Sequence, residues 1–308
     1  MSEKIGGVLL RDEDYPGRDL YSDGAVEDEL LAIAKTEKPC DFDRIVAERK
    51  SWPVMYHFSS VRQNILNWYP IRETDRVLEI GSGCGAITSS LAERAAHVTC
   101  VDLSKKRSLV NAYRNREYDN IEILLGNFED VEKRLPHDFD VITLIGVFEY
   151  GSSYIHSEKP YEEFLRIVSS HLNPDGRLLI AIENRLGLKY FAGCREDHSG
   201  LYFDGIENYP ETDYAHTFSK PQLERMLQET GLSSYQFYYP YPDYKFPLSV
   251  YSDTYLPKKG ELRNNAVNYD RSRMILFDEG KAWDSLVEDG LFPLFSNSYF
   301  IEAREDKR

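Results

Sequence analysis

The feature that most constrains the fold is a short apolar segment that ends in closely spaced glycines. Residues 77–80 read Val-Leu-Glu-Ile, and residues 81–85 read Gly-Ser-Gly-Cys-Gly. The apolar run predicts a buried β-strand, and glycine permits the positive φ angles and close backbone approach of a tight turn. If a helix follows, its free N–H groups favour an anionic ligand group. The segment therefore predicts a strand–turn–helix unit that binds a nucleotide or an amino-acid carboxylate.

Short apolar segments continue to alternate with helical segments after this motif. Strands are predicted at residues 76–80, 97–101, 121–125, 140–145 and 177–182. Helices are predicted at residues 86–94, 104–117 and 160–172, the last closed by the turn sequence Asn173-Pro174-Asp175-Gly176. Strands of nearly continuous apolar character that alternate with helices are typical of a parallel sheet covered on both faces. We therefore expect an α/β fold with a Rossmann-like, doubly wound sheet.

The rest of the chain is predicted to form a lead-in and two insertions. Residues 1–55 are expected to be an N-terminal lead-in with a helical cap, and residues 56–308 the main domain. Within that domain, residues 184–216 and 250–296 show no clear period, and irregular segments of this length are usually functional or disordered. Further elements are a helix at residues 219–231, a strand at 234–239, a helix at 279–288 and a strand at 298–303.

Composition argues against several classes of protein. The chain has 308 residues with 52 acidic and 37 basic side chains, a formal net charge of −15. Nucleic-acid-binding proteins usually present a basic face, so this balance argues against a nucleic-acid partner. No apolar run reaches the roughly 18 residues of a membrane span, and the N-terminus lacks the apolar stretch of a secretory signal. We therefore expect a cytoplasmic protein without a membrane span.

Further residues in and around the glycine turn make the motif resemble that of the class I S-adenosylmethionine-dependent methyltransferases. Residues 81–86 alone also fit the dinucleotide pattern GxGxxG/A. Glu79 and Gly85 extend it to ExGxGxG, and Asp102 closes the next strand. The resemblance covers residues 56–303 and implies a seven-stranded sheet whose late strand is inserted antiparallel beside the fifth. It also implies S-adenosylmethionine as cofactor and S-adenosylhomocysteine as product.

The resemblance assigns donor-binding positions. Glu79 and the glycine turn would cradle the methionine part, Asp102 would bind the ribose hydroxyls, and Asn127 would contact adenine where the family often has Asp. The predicted cofactor-binding residues are Glu79, Gly81, Ser82, Gly83, Gly85, Asp102, Leu103, Asn127, Phe128 and Gly146. Two alternatives stay open: Asp102 can cap the following helix, and Phe128 can be a core side chain.

Catalytic candidates follow the fourth and fifth strands, because open α/β sheets bind ligands beyond the carboxyl ends of their strands. His198 is the leading candidate for a general base, since it follows two acidic residues and histidine titrates near neutral pH. Glu149 and His57 are further candidates, and each histidine can instead be structural. Glu149 with Glu183 and Asn184 leaves a magnesium site as an alternative, since this arrangement resembles metal-dependent methyltransferases that place acidic groups after the fourth strand and an acid–amide pair after the fifth. We nevertheless predict no metal centre, because this sequence has Glu where those enzymes have Asp and has no CxxC pair to support a zinc site.

A second resemblance concerns the acceptor. Residues 183–193, 196–198 and 238–245 resemble bacterial methyltransferases associated with glycosyltransferases and surface-polysaccharide assembly. This implies a small-molecule acceptor, a hydroxyl of a sugar or sugar-linked metabolite. The predicted substrate-binding residues are Tyr56, Tyr150, Asn184, Arg185, Lys189 and Arg195. The basic members of this set favour anionic groups on the acceptor.

Other functions remain open at this point. A natural-product O- or N-methyltransferase would act on a phenol, amine or carboxylate. A nicotinamide dehydrogenase would bind a different cofactor and would not need the late antiparallel strand. A non-catalytic module would bind the donor without turnover. Residues 145–150 lack the (D/N)PP(Y/F) turn of amino-group nucleic-acid methyltransferases. The two irregular segments can also form a homodimer contact.

Overall fold

The chain folds into two compact units. The computed structural model describes residues 2–19, 21–22, 24–155, 157–263, 265–268 and 270–306. Unit 1 comprises Met1–Leu144 and Ile167–Leu178, and unit 2 comprises Ile145–Arg166 and Leu179–Arg308.

Strands and helices alternate through most of the chain. The strands are β1 (Ser2–Ile5), β2 (Val8–Asp14), β3 (Arg76–Ile80), β4 (His97–Asp102), β5 (Ile121–Gly126), β6 (Phe139–Ile145), β7 (Leu172–Glu183), β8 (Ser234–Tyr241), β9 (Ser249–Ser252) and β10 (Ser298–Arg304). The α-helices are α1 (Val26–Thr36), α2 (Phe42–Arg49), α3 (Trp52–Phe58), α4 (Thr88–Ala92), α5 (Lys105–Arg114), α6 (Phe128–Val131), α7 (Gly151–Tyr154), α8 (Pro160–Ser170), α9 (Leu188–Phe191), α10 (Lys220–Glu229), α11 (Glu279–Glu288) and α12 (Phe292–Phe295). Short 3₁₀ helices lie at Pro39–Asp41, Ser60–Ile65, Glu132–Arg134 and Phe148–Tyr150.

Unit 1 is built on the parallel sheet that the apolar runs predict. Its strand order is β1-β2-β5-β4-β3-β6-β7. The pairs β3–β4, β3–β6 and β4–β5 are parallel, with Val77 opposite both Val98 and Val141. These three valines are fully buried, because a parallel sheet with helices on both faces exposes neither face of its central strands. The doubly wound fold is therefore confirmed.

The N-terminal segment adds two strands that the sequence analysis did not predict. β1 and β2 form an antiparallel hairpin, and β2 pairs in parallel with β5, placing Leu10 opposite Ile123. Val8 and Leu10 are buried, whereas the residues between and after them are polar or half-exposed. The helical cap follows as α1 to α3, and its apolar side chains form a core with Val110 of α5. The boundary predicted at residue 55 falls inside α3.

Unit 2 contains the late antiparallel strand. Its strand order is β7-β10-β8-β9, and β10 runs antiparallel to β8 with Phe300 opposite Tyr238. Phe237, Tyr239 and Tyr299 pack edge to face, so many of the clustered aromatics are strand residues of a half-buried sheet. α11 begins and ends where the sequence predicts, and the Asp278 side chain caps it.

The turn predicted at residues 173–176 is wrong, because β7 already begins at Leu172. The Asn173 side chain donates a hydrogen bond to Asp140 Oδ1 over 2.5 Å and accepts one from the Asp175 N–H over 2.9 Å. Pro174 and Asp175 are exposed, so the missing N–H of proline leaves no buried acceptor unpaired. A side-chain contact with β6 thus overrides the local turn signal.

None of the helices in the described part of the chain is both long enough and apolar enough to cross a lipid bilayer.

Candidate functional site

The glycine turn after β3 has the backbone geometry that its sequence predicts. Gly81, Gly83 and Gly85 have φ angles of 69°, 52° and 73°. A Cβ atom at Gly85 would lie 2.4 Å from the Asn111 side-chain oxygen of α5. A larger residue there would be strained by its φ angle and would force the Asn111 side chain to move, so glycine is favoured for both reasons.

Asp102, the last residue of β4, ties this turn to α5. One carboxylate oxygen accepts a hydrogen bond from the Gly83 N–H over 2.7 Å, and the other accepts one from the Ser104 N–H over 2.9 Å. Burial raises the pKa of Asp102, and the positive charge of Arg107 opposes that rise. The N-cap of α5 is Ser104, whose hydroxyl accepts from the Arg107 N–H. Asp102 therefore holds the turn rather than capping the helix itself.

Glu79 lies buried beside the turn. Its carboxylate accepts hydrogen bonds from the Thr88 hydroxyl over 2.6 Å and from the Cys100 thiol over 3.5 Å. Burial raises the pKa of Glu79 to about 7, although these two hydrogen bonds oppose the rise. Glu79 thus connects β3 with α4 and β4, and it changes charge close to neutral pH.

Polar atoms without partners make this region fit S-adenosylmethionine. The Ser82 hydroxyl oxygen and the Asn127 side-chain oxygen are buried and have no hydrogen-bond partner among the described residues. Leu103 is half-buried between β4 and α5, and Phe128 at the start of α6 is 2% exposed. A buried cradle with unsatisfied polar atoms and an apolar flank suits a nucleoside joined to an amino acid.

The N-terminal segment also reaches this region, which the sequence analysis missed. The Asp19 carboxylate accepts hydrogen bonds from the Lys105 N–H over 2.6 Å and from the Ser104 hydroxyl over 3.2 Å. The Arg107 guanidinium lies over the Tyr21 ring, 4.9 Å from its centroid. Asp19 thus satisfies free N–H groups at the start of α5, an arrangement that no local motif predicts because the partners are far apart in sequence.

Unit 2 brings Glu149, Glu183 and His198 together, and we call these three side chains the acidic cluster. Glu149 lies in the 3₁₀ helix after β6, Glu183 ends β7, and His198 lies in the irregular segment after α9. His198 Nε2 is 3.5 Å from Glu149 Oε1, and His198 Nδ1 is 3.0 Å from Glu196 Oε1. The Tyr150 ring packs edge-on against the imidazole, with centroids 5.6 Å apart.

Burial and charge pull the pKa values of this cluster in opposite directions. Burial raises the pKa of Glu149, against the hydrogen bond with His198. Burial alone would lower the pKa of His198, but its contacts with Glu149 and Glu196 outweigh burial and raise the pKa well above the usual value. The imidazole is therefore held among carboxylates and is not the isolated, neutral histidine that a simple general base would be.

Two lysines, the buried Lys189 and the partly buried Lys245, supply positive charges beside the cluster. Lys245 forms ion pairs with Glu183 and Asp197, the latter over 2.6 Å. Lys189, predicted to bind substrate, pairs with Asp197 over 2.8 Å and with Asp243 over 3.7 Å. Burial would raise the pKa of Asp197, but both lysines hold it well below its ordinary range. No local signal in the sequence marks Lys245 as a site residue, because its partners lie in other segments.

The other substrate-binding candidates in unit 2 have internal partners. Asn184 donates to the carbonyls of Leu294 and Ser296 over 2.9 and 2.8 Å. Arg185 donates to the Gln222 side chain over 2.8 Å, and Arg195 lies 4.2 Å from the centroid of the Tyr202 ring. These contacts engage the side chains that were expected to bind an anionic acceptor.

The last three candidates are two residues of helix α3 and one glycine of unit 2. Tyr56 and His57 belong to α3 of unit 1, where the Tyr56 ring lies under the Arg62 guanidinium at 4.3 Å. The His57 carbonyl accepts a hydrogen bond from Arg114. Gly146, with a φ of 69°, lies in unit 2, where an added Cβ would come within 2.7 Å of the Tyr244 hydroxyl. Tyr56 and His57 therefore belong to unit 1, and Gly146 belongs to unit 2.

Comparison with known proteins points to one chemistry. Residues 78–178 match a family model described as a methyltransferase domain. The chain is 30% identical over 127 residues to the probable ribosomal RNA small subunit methyltransferase A of Methanothermobacter thermautotrophicus, covering 34% of this chain and 46% of that protein. It is 27% identical over 124 residues to the probable cobalt-precorrin-6B C(15)-methyltransferase (decarboxylating) of Methanobrevibacter smithii, covering 39% and 60%. It is 25% identical over 179 residues to the ubiquinone biosynthesis O-methyltransferase of Chromobacterium violaceum, covering 58% and 73%.

These relatives agree on the reaction and differ in the acceptor that their names give. The chain spans about half the length of the first two, 46% and 60%. The matched region contains the glycine turn, Asp102 and Asn127, whereas His198 and Lys245 lie outside the matched model. The similarity therefore supports binding of the methyl donor and does not identify the acceptor.

Proposed function

We propose that this chain is a class I S-adenosylmethionine-dependent methyltransferase that transfers the donor's methyl group to a hydroxyl of a sugar or sugar-linked metabolite. The match of residues 78–178 to a methyltransferase domain supports this proposal. The observation that carries the donor is the glycine turn, with Asp102 bound to the Gly83 N–H and Asn127 Oδ1 buried without a partner among the described residues. The donor supplies a methyl group activated by its sulfonium. The protein has to hold the donor, orient the acceptor and exclude water.

On the donor side, each residue has a defined task. Asp102 offers carboxylate lone pairs beyond the two it uses for backbone N–H groups, and these would accept from ribose hydroxyls. Asn127 Oδ1 would accept from the adenine amino group, and Ser82 would bond the amino-acid part. Glu79, whose contacts are with Thr88 and Cys100, would position the turn.

On the acceptor side, the acidic cluster supports a hydroxyl rather than an anion. Glu149 Oε2 and Glu183 Oε2 are buried and find no hydrogen-bond partner in the described part of the chain. Carboxylate oxygens accept hydrogen bonds from hydroxyl groups, whereas an anionic acceptor would be repelled. We therefore propose that Glu149 accepts the hydrogen bond of the acceptor hydroxyl and that His198, held by Glu149 and Glu196, positions that carboxylate rather than acting as the isolated general base of the sequence prediction. The arginines and Lys189 remain internal partners.

The test begins with the donor. Calorimetric titration with S-adenosylmethionine, S-adenosylhomocysteine and NAD should show binding of the first two and none of the third. Binding of NAD alone would overturn the donor assignment. Transfer of a labelled methyl group should then be measured with glycosides, sugar nucleotides, simple phenols and RNA. Label on a sugar supports the proposed acceptor, whereas label on a phenol or on RNA alone refutes it and leaves the donor assignment standing.

A further inference from the structure

The acidic cluster of unit 2 has the geometry of a metal site. One oxygen each of Glu149 and Glu183 and one ring nitrogen of His198 all lie within 4.8 Å of one another. Glu149 is 1% exposed, Glu183 is fully buried and the His198 side chain is 8% exposed. From this convergence we propose that Glu149, Glu183 and His198 bind a divalent metal ion.

A second observation, independent of the convergence, is that carboxylate oxygens remain unpaired. Within the described residues, Glu149 Oε2 and Glu183 Oε2 are buried and accept no hydrogen bond. A buried carboxylate oxygen without a partner loses its hydration and gains no hydrogen bond in return, which is unfavourable, and more so for a charged group. A bound cation removes this cost for both carboxylates at once.

The imidazole is oriented as a metal-binding histidine usually is. Its Nδ1 faces Glu196 Oε1 at 3.0 Å. The other oxygen of Glu196 accepts from the N–H groups of His198 and Ser199 over 2.7 and 2.6 Å, so this carboxylate is held in place. Metal-binding histidines generally donate their second ring N–H to such a carboxylate, which leaves the other nitrogen free for the ion. Here that nitrogen is Nε2, which lies 3.5 Å from Glu149 Oε1 and would release its proton when an ion binds.

The charges around the cluster also call for a cation. Lys189 and Lys245 pair with Asp197, and they additionally engage Asp243 and Glu183 respectively. Glu149 has contact with no cation except the shared His198, as far as the described residues show. The connected network therefore contains more carboxylates than positive side chains, and a divalent ion offsets the excess.

The ligand set defines the class of metal. Imidazole together with carboxylates suits first-row transition ions such as Mn²⁺, Fe²⁺ or Zn²⁺, whereas Ca²⁺ and Mg²⁺ prefer oxygen alone. Three protein ligands leave coordination positions open, as in catalytic sites. An acceptor hydroxyl could occupy one of them, and the ion would then favour loss of its proton. That use of the ion rests on the proposed function, whereas binding of the ion does not.

Metal binding is tested first on the wild-type chain without donor or acceptor. The chelator-treated protein should take up about one Mn²⁺ or Zn²⁺ ion per chain, as measured by calorimetry and elemental analysis. In the Mn²⁺ form, pulsed electron paramagnetic resonance should detect coupling to the ¹⁴N nucleus of a bound imidazole. No binding, or binding without nitrogen coupling, would overturn the site. This readout needs no variant and therefore does not depend on how a substitution affects folding.

Variants then identify the ligands. Glu183→Gln and His198→Gln roughly keep the size of the side chain. Glu196→Gln removes a carboxylate that contacts the histidine but is not a proposed ligand, and it should weaken ion affinity by about 10–100-fold. The two ligand variants should weaken ion affinity more than that. Glu224→Gln is the matched control, because Glu224 pairs with Lys220 on α10 away from the cluster. It should bind the ion like the wild type. Equal affinity in all four variants would refute the assignment. Donor titrations run in parallel, so loss of the ion site and failure of the methyltransferase assignment are distinguishable.

Discussion

Replacing Glu79 with glutamine should change how the stability of the chain depends on pH. Burial raises the pKa of Glu79 from 4.5 to about 7, so the folded chain retains this proton where the unfolded chain has released it. When the folded state binds more protons, the free energy of unfolding falls as pH rises. The contribution of Glu79 should therefore be complete below pH 4.5 and lost by the time pH has passed about 7.

The size of the effect follows from the shift. One pKa unit corresponds to about 1.4 kcal/mol, so a rise from 4.5 to about 7 amounts to roughly 3 kcal/mol over the whole window. Between about pH 5 and pH 8 the wild type should lose about 2–3 kcal/mol through this carboxyl. The glutamine side chain of the variant has nearly the same volume and keeps an oxygen for the Thr88 hydroxyl, but it does not titrate.

The measurement is the difference in unfolding free energy between wild type and Glu79→Gln, taken from urea titrations without donor at several pH values between about 5 and 8. Other groups titrate alike in both proteins, so the difference isolates Glu79 and should move by about 2–3 kcal/mol in favour of the variant as pH rises. Glu163→Gln makes the same substitution at an exposed carboxylate and serves as the matched control. A difference for Glu79→Gln that does not change with pH would show that burial does not perturb this carboxyl.

Three further substitutions test other parts of the chain. Asp102→Ala should weaken S-adenosylmethionine binding by about 100-fold, since two hydrogen bonds to a charged acceptor contribute about 3 kcal/mol, with far-UV circular dichroism unchanged. His198→Ala should abolish methyl transfer while calorimetry shows donor binding preserved; full turnover would remove His198 from the acceptor side. Arg177→Met should lower the free energy of unfolding by about 3 kcal/mol, the low end for a broken buried pair, because the buried Asp75 carboxylate loses the guanidinium 2.8 Å away and keeps, of the described cations, only the exposed Arg72 at 3.1 Å. Arg166→Met, which breaks an exposed pair, should cost less than about 1 kcal/mol in the same urea titration.

The central strands of unit 1, β3 to β6, were predictable because each one carries its own signal. β3 to β6 are short apolar runs bounded by glycines or polar residues, and β3 has the predicted bounds, Arg76–Ile80. The hairpin β1–β2 lacks such a signal, since β2 is VLLRDED and buries only its first residues. Its stability comes from pairing with β5, more than 100 positions away, as in Leu9 opposite Glu122. A local pattern cannot report that pairing.

The donor side was predictable for the same reason, and the acceptor side was not. The conformation of Gly83 and Gly85 is required by a local turn, which their residue type reveals. The roles of Arg185 and Lys189 depend on partners such as Gln222 and Asp243, which lie far along the chain. A basic residue in an irregular segment has the same appearance in sequence whether it binds substrate or an internal carboxylate.

The acceptor side is defined by which of its buried carboxylate oxygens have an ion-pair or hydrogen-bond partner and which have none. Unit 2 pairs the buried Lys189 and the partly buried Lys245 with Asp197, Asp243 and one oxygen of Glu183. Burying a lysine is energetically unfavourable, so a fold that nevertheless buries one is able to neutralise its buried carboxylates. It leaves Glu149 Oε2 and Glu183 Oε2 without a hydrogen bond from any described residue. Since buried polar atoms in native proteins are nearly always satisfied, these oxygens indicate a ligand that completes the site, either the acceptor's hydroxyl or an ion that binds it.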